Sequence, residues 1–254
     1  MRPAAGPAKR AETDAAAIFR LAIADLEAGM DRQRQVRPEL AFEHQPAPRR
    51  LAPFAAAIGA TVHEHGLGRG PGSDAPPGAA DDDADNELGW GSFVLLYDPA
   101  GQTGWAGPFR VIAYVRAELE PEIAADPLIG QVGWSWLTEA LDTRTTGYRR
   151  ISGTVTRVVT EGFGTKQAEP VATGFELRAS WSPARPGATL PTATLPTGTS
   201  TADAMVPAAA PSDLAPRDLG GHVAAWCDAL CAAAGLPPLP AGVSALRPRP
   251  RRRP

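Results

Sequence analysis

The sequence predicts an α+β fold, an antiparallel sheet of about five strands with helices packed on one face. Two kinds of periodicity carry this expectation: three stretches repeat apolar residues at helical spacing, and several others alternate at strand spacing. The elements run α-β-β-β-α-β-β-α with short returns inside the strand pairs, which favours antiparallel pairing but leaves the strand order open.

Residues Glu12 to Gly29 read as the first helix, with Phe19, Ile23, Leu26 and Met30 on one stripe and Gly29 as its stop. Leu51–Val62 reads as a strand in spite of its alanines. Trp90–Tyr97 and Phe109–Ala117 follow as strands. In the latter, Phe109, Val111, Ala113 and Val115 alternate with Arg110, Ile112, Tyr114 and Arg116, giving one apolar face. The helix Leu128–Leu141 presents Ile129, Val132, Trp136 and Ala140, flanked by Trp134, Leu137 and Leu141. Strands at Tyr148–Thr160 and Val171–Trp181 come next. The second alternates Phe175, Leu177, Ala179 and Trp181 with Glu176, Arg178 and Ser180. The last helix spans Pro216–Ala234, with Leu219, Val223, Trp226, Leu230 and Ala233 as its stripe and Gly235 as its cap.

Composition divides the chain. The stretches 66–87 and 182–211 hold no aromatic residue and few apolar anchors, so they read as a disordered acidic Gly/Pro insertion and a Pro/Thr/Ala linker. With a disordered N-terminus (1–11) and a basic tail (247–254), this leaves one α+β domain built from 12–181 and 212–246.

The net charge is −3. Between Leu88 and Trp181 there are 8 basic and 10 acidic residues, which argues against a dedicated nucleic-acid surface. The tail Arg247–Arg253 offers only nonspecific, salt-sensitive contact with phosphates. Arginine outnumbers lysine 23 to 2, a bias that GC-rich codons explain and that says little about phosphate binding. No stretch approaches the ~18 apolar residues of a membrane span. The N-terminus leads into an amphipathic helix rather than a signal-peptide core, and two cysteines exclude a disulfide-dense scaffold. A cytoplasmic protein is expected.

Several segments together carry a family resemblance: Arg50–Phe54 (RLAPF), Leu95–Gly101 (LLYDPAG), Phe109–Pro127 (FRVIAYVRAELEPEIAADP) and Gly133–Leu137 (GWSWL). Ser152–Val155 (SGTV), Ala179–Trp181 (ASW) and His222–Cys231 (HVAAWCDALC) complete the set. The chain resembles an actinobacterial family known as domain of unknown function 3000, over roughly Phe19 to Leu246 apart from the two insertions. The resemblance implies a cytoplasmic protein and transfers no catalytic residue.

Each candidate for chemistry has a structural alternative. Cys227 and Cys231 lie four apart on the last helix; with His222 pointing elsewhere they lack a fourth metal ligand and read as buried structural thiols. His63-Glu64-His65 has the spacing of a metal pair but reads as a solvated strand end. Asp98-Pro99-Ala100-Gly101 has the composition of a type I turn. Gly162–Lys166 lacks the spacing of a phosphate loop. Glu118, Glu120, Glu122 and Asp126 read as a solvated strand-to-helix junction rather than a magnesium site. No cofactor and no metal are implied.

One constellation remains. Arg110, Tyr114 and Arg116 share a strand face, and Arg178 with Thr154 or Thr156 would join them on a common sheet face. Tyr114 or Trp105 would supply a stacking wall, and the arginines would grip a carboxylate or phosphate. The expected function is therefore a non-enzymatic binding or interaction module for an acidic small molecule or protein partner. The first alternative is a small-molecule enzyme built around Asp98, Arg110 and Glu118; the second is nonspecific nucleic-acid association through the tail.

Overall fold

The fold was read from a computed structural model that describes residues 7–64, 87–184, 216 and 218–239. Helix α1 (Pro7–Val36) precedes strands β1 (Leu40–Gln45), β2 (Phe54–His63), β3 (Glu87–Tyr97) and β4 (Phe109–Glu118). A one-turn helix α2 (Pro121–Ala125) and helix α3 (Ile129–Arg144) lead to β5 (Tyr148–Thr160) and β6 (Ala172–Pro183). Helix α4 (Leu219–Ala233) is last. The sheet has six strands in the order β1-β2-β3-β4-β6-β5, and every adjacent pair is antiparallel. The α+β class holds, with one strand more than expected.

The added strand is β1. Leu40 and Phe42 alternate with Ala41 and Glu43 over only six residues before Pro46, too short a run to stand out from the flanking loop. Helix α1 outruns its expected bounds at both ends. It begins at Pro7, inside the stretch read as disordered, and passes through Gly29 to Val36, beyond which Pro38 bars a further turn. Gly29 is not a stop because it is a contact: a Cβ there would come within 2.5 Å of Gly220 Cα, so two glycines let α1 and α4 cross closely. Glu87, Ser182 and Pro183, assigned above to the insertion and the linker, are strand residues of β3 and β6. The remainder of 66–86, most of 182–211 and the tail 247–254 lie outside the described residues.

The helices cover one face of the sheet. From it rise Ile58, Phe93, Val111, Leu177 and Trp181, all at most 2% exposed. Burying five such side chains contributes on the order of 10 kcal/mol before chain entropy is subtracted. Helix α4 lies centrally, packed against α1 and α3 and across β3 and β4. It is buried almost all round, His222, Cys227 and Cys231 included, so its stripe is not confined to one side. Its ends are well terminated. Asp25 of α1 accepts the backbone N–H groups of Leu219 (2.7 Å) and Gly220 (3.4 Å), an N-cap supplied by another helix. At the other end Gly235 has φ +77°, Leu236 N–H donates to Cys231 C=O and Gly235 N–H to Ala232 C=O, a Schellman motif.

In α3 the inward line is Ile129, Gly133, Leu137 and Leu141, while Val132 of the expected stripe is 41% exposed. The shift has a cause: a Cβ on Gly133 would lie 2.4 Å from the Phe175 ring, so the bare glycine seats that ring and turns the helix by a residue.

Candidate functional site

The opposite face of the sheet carries Arg110, Ile112, Tyr114 and Arg116 of β4. In register beside them lie Glu176, Arg178 and Ser180 of β6, then Ser152, Thr154 and Thr156 of β5. Among the described residues no long helix packs here, and most of these side chains are half-buried or exposed. The residues singled out from the sequence do share a face, but they divide into two groups along it.

The first group surrounds a depression of about 630 Å³, open to solvent. Its floor is sheet: Leu96, Arg110, Ile112, Arg178, Ser180, Ser152 and Thr154. Its wall is the β3–β4 loop, which lies at the strand ends and presents Gln102 and Trp105 beside Leu51. The loop starts as the expected turn, with Gly101 N–H donating to Asp98 C=O at 2.9 Å and Ala100 N–H to Asp98 Oδ1 at 3.0 Å. Gln102 then ties it down by donating to Leu51 C=O (2.9 Å) and Asp98 Oδ2 (3.1 Å), and Ala106 N–H donates to Ser182 Oγ at 3.0 Å.

Arg110 is not the free hand that its place on the strand suggested. Its guanidinium donates to Arg150 C=O (3.0 Å), Ser180 C=O (3.2 Å) and Ser180 Oγ (2.6 Å). Arg150 is the one described non-glycine residue with positive φ (+51°), at a bulge in β5 between Arg149 and Ser152. Its turned carbonyl is what Arg110 reaches. Burial first, and then the Arg150 charge, pull the Arg110 guanidinium below its ordinary value. Arg110 thus sets the floor, and Arg178, the more exposed of the two arginines, is the second cation lining the depression.

The second group lies farther along β4 and does not line the depression. Tyr114 stacks near Trp90 (5.0 Å between ring centroids) and under the Arg178 guanidinium (5.2 Å), whose Nη2 pairs with Glu176 Oε2 at 3.0 Å. Burial first, then the Glu176 carboxylate, hold the Tyr114 phenol above its ordinary value. Arg116 is exposed and faces Trp90 and Glu176 in register. Six residues from Arg110, it sits roughly 20 Å away. One ligand of modest size cannot bridge the two arginines.

The remaining candidates are dispersed. Asp98 and Glu118 stand at opposite ends of β4, roughly 30 Å apart, so the constellation Asp98, Arg110 and Glu118 is not assembled. Cys227 and Cys231 are buried free thiols; burial pushes Cys231 up to about 12 and raises Cys227 as well. His222 Nδ1 accepts the Trp181 indole N–H at 3.1 Å, away from both thiols, and burial draws its pKa down to about 4. His63 closes β2 and His65 lies outside the described residues. Gly164–Lys166 is a short 3-10 turn between β5 and β6. Among the described residues no group of three or more His, Cys, Asp or Glu side chains could hold a metal ion. No helix among them is long and apolar enough to cross a membrane.

Leu51, Gln102, Ser152 and Ser180 escaped the sequence reading. The signal for Gln102 was the loop GQTGWAG, whose three glycines all adopt positive φ and allow it to fold back.

Among the described residues, fold and face define an α+β protein with one antiparallel sheet, one side covered by helices and the other polar–aromatic with no helix packed on it. The chain belongs to the family described as protein of unknown function DUF3000, whose model matches residues 15–244. No curated protein and no solved structure matches it.

Proposed function

We propose that the protein is a non-enzymatic binding module, taking a carboxylate-bearing small molecule or an acidic segment of a protein on the open face of its sheet. The observation that carries this reading is the make-up of the depression. Arg178 and Arg110, the Trp105 indole and the Ser152 and Thr154 hydroxyls line it, and among the described residues no carboxylate, histidine or thiol does. Acid–base or nucleophilic catalysis needs a group that titrates or attacks near neutrality. Anion recognition needs only fixed donors and a stacking wall. The two buried free thiols support a reducing, cytoplasmic setting, and the arginine bias supports a high-GC, actinobacterial source.

Titration of the isotope-labelled protein with a panel of dicarboxylic acids and an aspartate-rich peptide tests the proposal. Shifts should centre on Trp105 and Arg178, and Trp105→Ala or Arg178→Ala should weaken the best binder about tenfold, the loss of one good contact. Arg116→Ala should leave it within about twofold if the ligand is confined to the depression. Binding that survives both substitutions at the depression, or shifts that map elsewhere, would remove the assignment.

A further inference from the structure

Among the described residues the edge strands of the sheet, β1 and β5, have no partner on their outer sides, and they differ in length and proline content. Strand β1 is six residues long, carries Glu43, and is bracketed by Pro38 and by Pro46 and Pro48. Shortness, charge and proline are the usual protections of an edge against further pairing. Strand β5, at the other edge, runs thirteen residues with no proline, and its charges are Arg149 and Arg150 at the bulge and Arg157 in the ladder beyond it. Its bulge affects only the first turn of the strand, and from Ser152 to Thr160 the ladder with β6 is unbroken. Among the described residues no strand pairs with its outer side. Val158 and Val159 lie 39% and 59% exposed beside that edge.

We propose that β5 is a homodimer edge, pairing antiparallel with β5 of a second copy about a twofold axis through Val155, to give one continuous twelve-stranded sheet. The strand's own sequence selects this occupant and this register. With Val155 on the axis, Thr154 faces Thr156 of the second copy, Ser152 faces Val158 and Ile151 faces Val159. Each pair keeps even residues on the open face and odd residues on the helix face, as the pleat requires. Hydroxyl meets hydroxyl, and each exposed valine gains a neighbour.

The charge arrangement agrees. The cation in the continuous ladder is Arg157, and this register sets it opposite Gly153 rather than opposite another arginine. A Cβ on Gly153 would meet the Arg178 carbonyl and also the Trp134 ring of α3, 2.6 Å from Cζ3. Arg157 already leans to the helix side, donating from Nη1 to Asp126 C=O at 3.1 Å. In the pair, each Arg157 guanidinium meets the half-buried Trp134 of the other copy, a cation–π contact made twice by symmetry.

Sedimentation equilibrium across a concentration series, with a charge-swap pair, tests the proposal. Wild type should sediment at twice the chain mass. Thr154→Lys with Thr156→Lys, and separately Thr154→Glu with Thr156→Glu, should each sediment as monomers, because like charges then face each other twice. An equimolar mixture of the two variants should restore the dimer. Circular dichroism checks that both exposed-site variants are folded, and for wild type the amides of 152–160 should exchange more slowly as concentration rises. A wild type that stays monomeric throughout, with β5 amides indifferent to concentration, overturns the proposal. So do folded charge variants that remain dimeric, since the interface would then lie elsewhere.

Discussion

The two faces of the sheet solve opposite problems with the same strands. On the helix-covered side Phe93 packs against Trp181 and Trp226, with ring centroids 6.2 and 5.6 Å apart, and both indole N–H groups have a partner. Trp226 donates its indole N–H to Tyr114 C=O at 3.1 Å, and Trp181 donates to His222. On the open side, one residue away along each strand, polar groups are held by backbone carbonyls and by one another, and apolar surface stays partly bare. Stability is concentrated on the first face, which leaves the second free to vary in chemistry.

The comparison is broken most directly at its centre. Trp226→Ala should cost about 4 kcal/mol, read as a lowered urea midpoint, because it removes the largest ring in α4 and leaves a cavity that the packed helices cannot collapse. A cost below about 1 kcal/mol would mean that the covered face is loosely packed.

The next largest effect is a pH dependence confined to the covered face. Buried His222 has a folded pKa of about 4 against 6.5 unfolded, so between those values the unfolded chain binds the extra proton. Stability is therefore full above pH 6.5 and falls as the pH drops toward 4, by roughly 3 kcal/mol. His222→Gln keeps an acceptor for Trp181 without a titrating ring, and should flatten that part of the profile in acid denaturation. An unchanged slope would assign it to carboxylates instead.

Asp25→Ala should cost about 1 kcal/mol in the same urea assay, the usual worth of an N-cap, since the first N–H groups of α4 would lose their acceptor. Asp25→Asn should recover most of it. The smallest effects belong to the open face and sharpen the contrast within it. Arg110→Ala should cost about 1 kcal/mol, because Arg150 C=O and Ser180 lose a charged donor. Arg116→Ala should fall within about 0.5 kcal/mol. Equal costs for the two arginines would show that Arg110 is as loosely held as its position in the sequence suggests.

Which of these features were legible in the sequence follows from how local their causes are. Strand β4 alternates cleanly because each residue answers only to the face it meets, and the α4 stripe reads well because every turn of that helix is buried. Gly29 misled because its reason, Gly220, lies far along the chain. Val132 misled for the same kind of reason: the apolar count around α3 was right, but the Phe175 ring on Gly133 sets which line turns inward. The candidate face was legible as a face, since Arg110, Tyr114, Arg116 and Arg178 obey the period of two. Its division into a depression and a separate aromatic–ionic group was not. That depends on a loop folding back and on the Arg150 bulge, whose carbonyl no pattern of side chains announces.

The strand order has a consequence for how the chain is born. Strand β6 sits between β4 and β5, yet it is made after both. Helix α4, which fills the middle of the core, is made later still. A ribosome releasing this chain exposes Phe93, Val111 and Leu177 before their cover exists, and the long-range contacts that bury them form only near the end of synthesis. Truncation just before α4 leaves the apolar face of the sheet without its central cover.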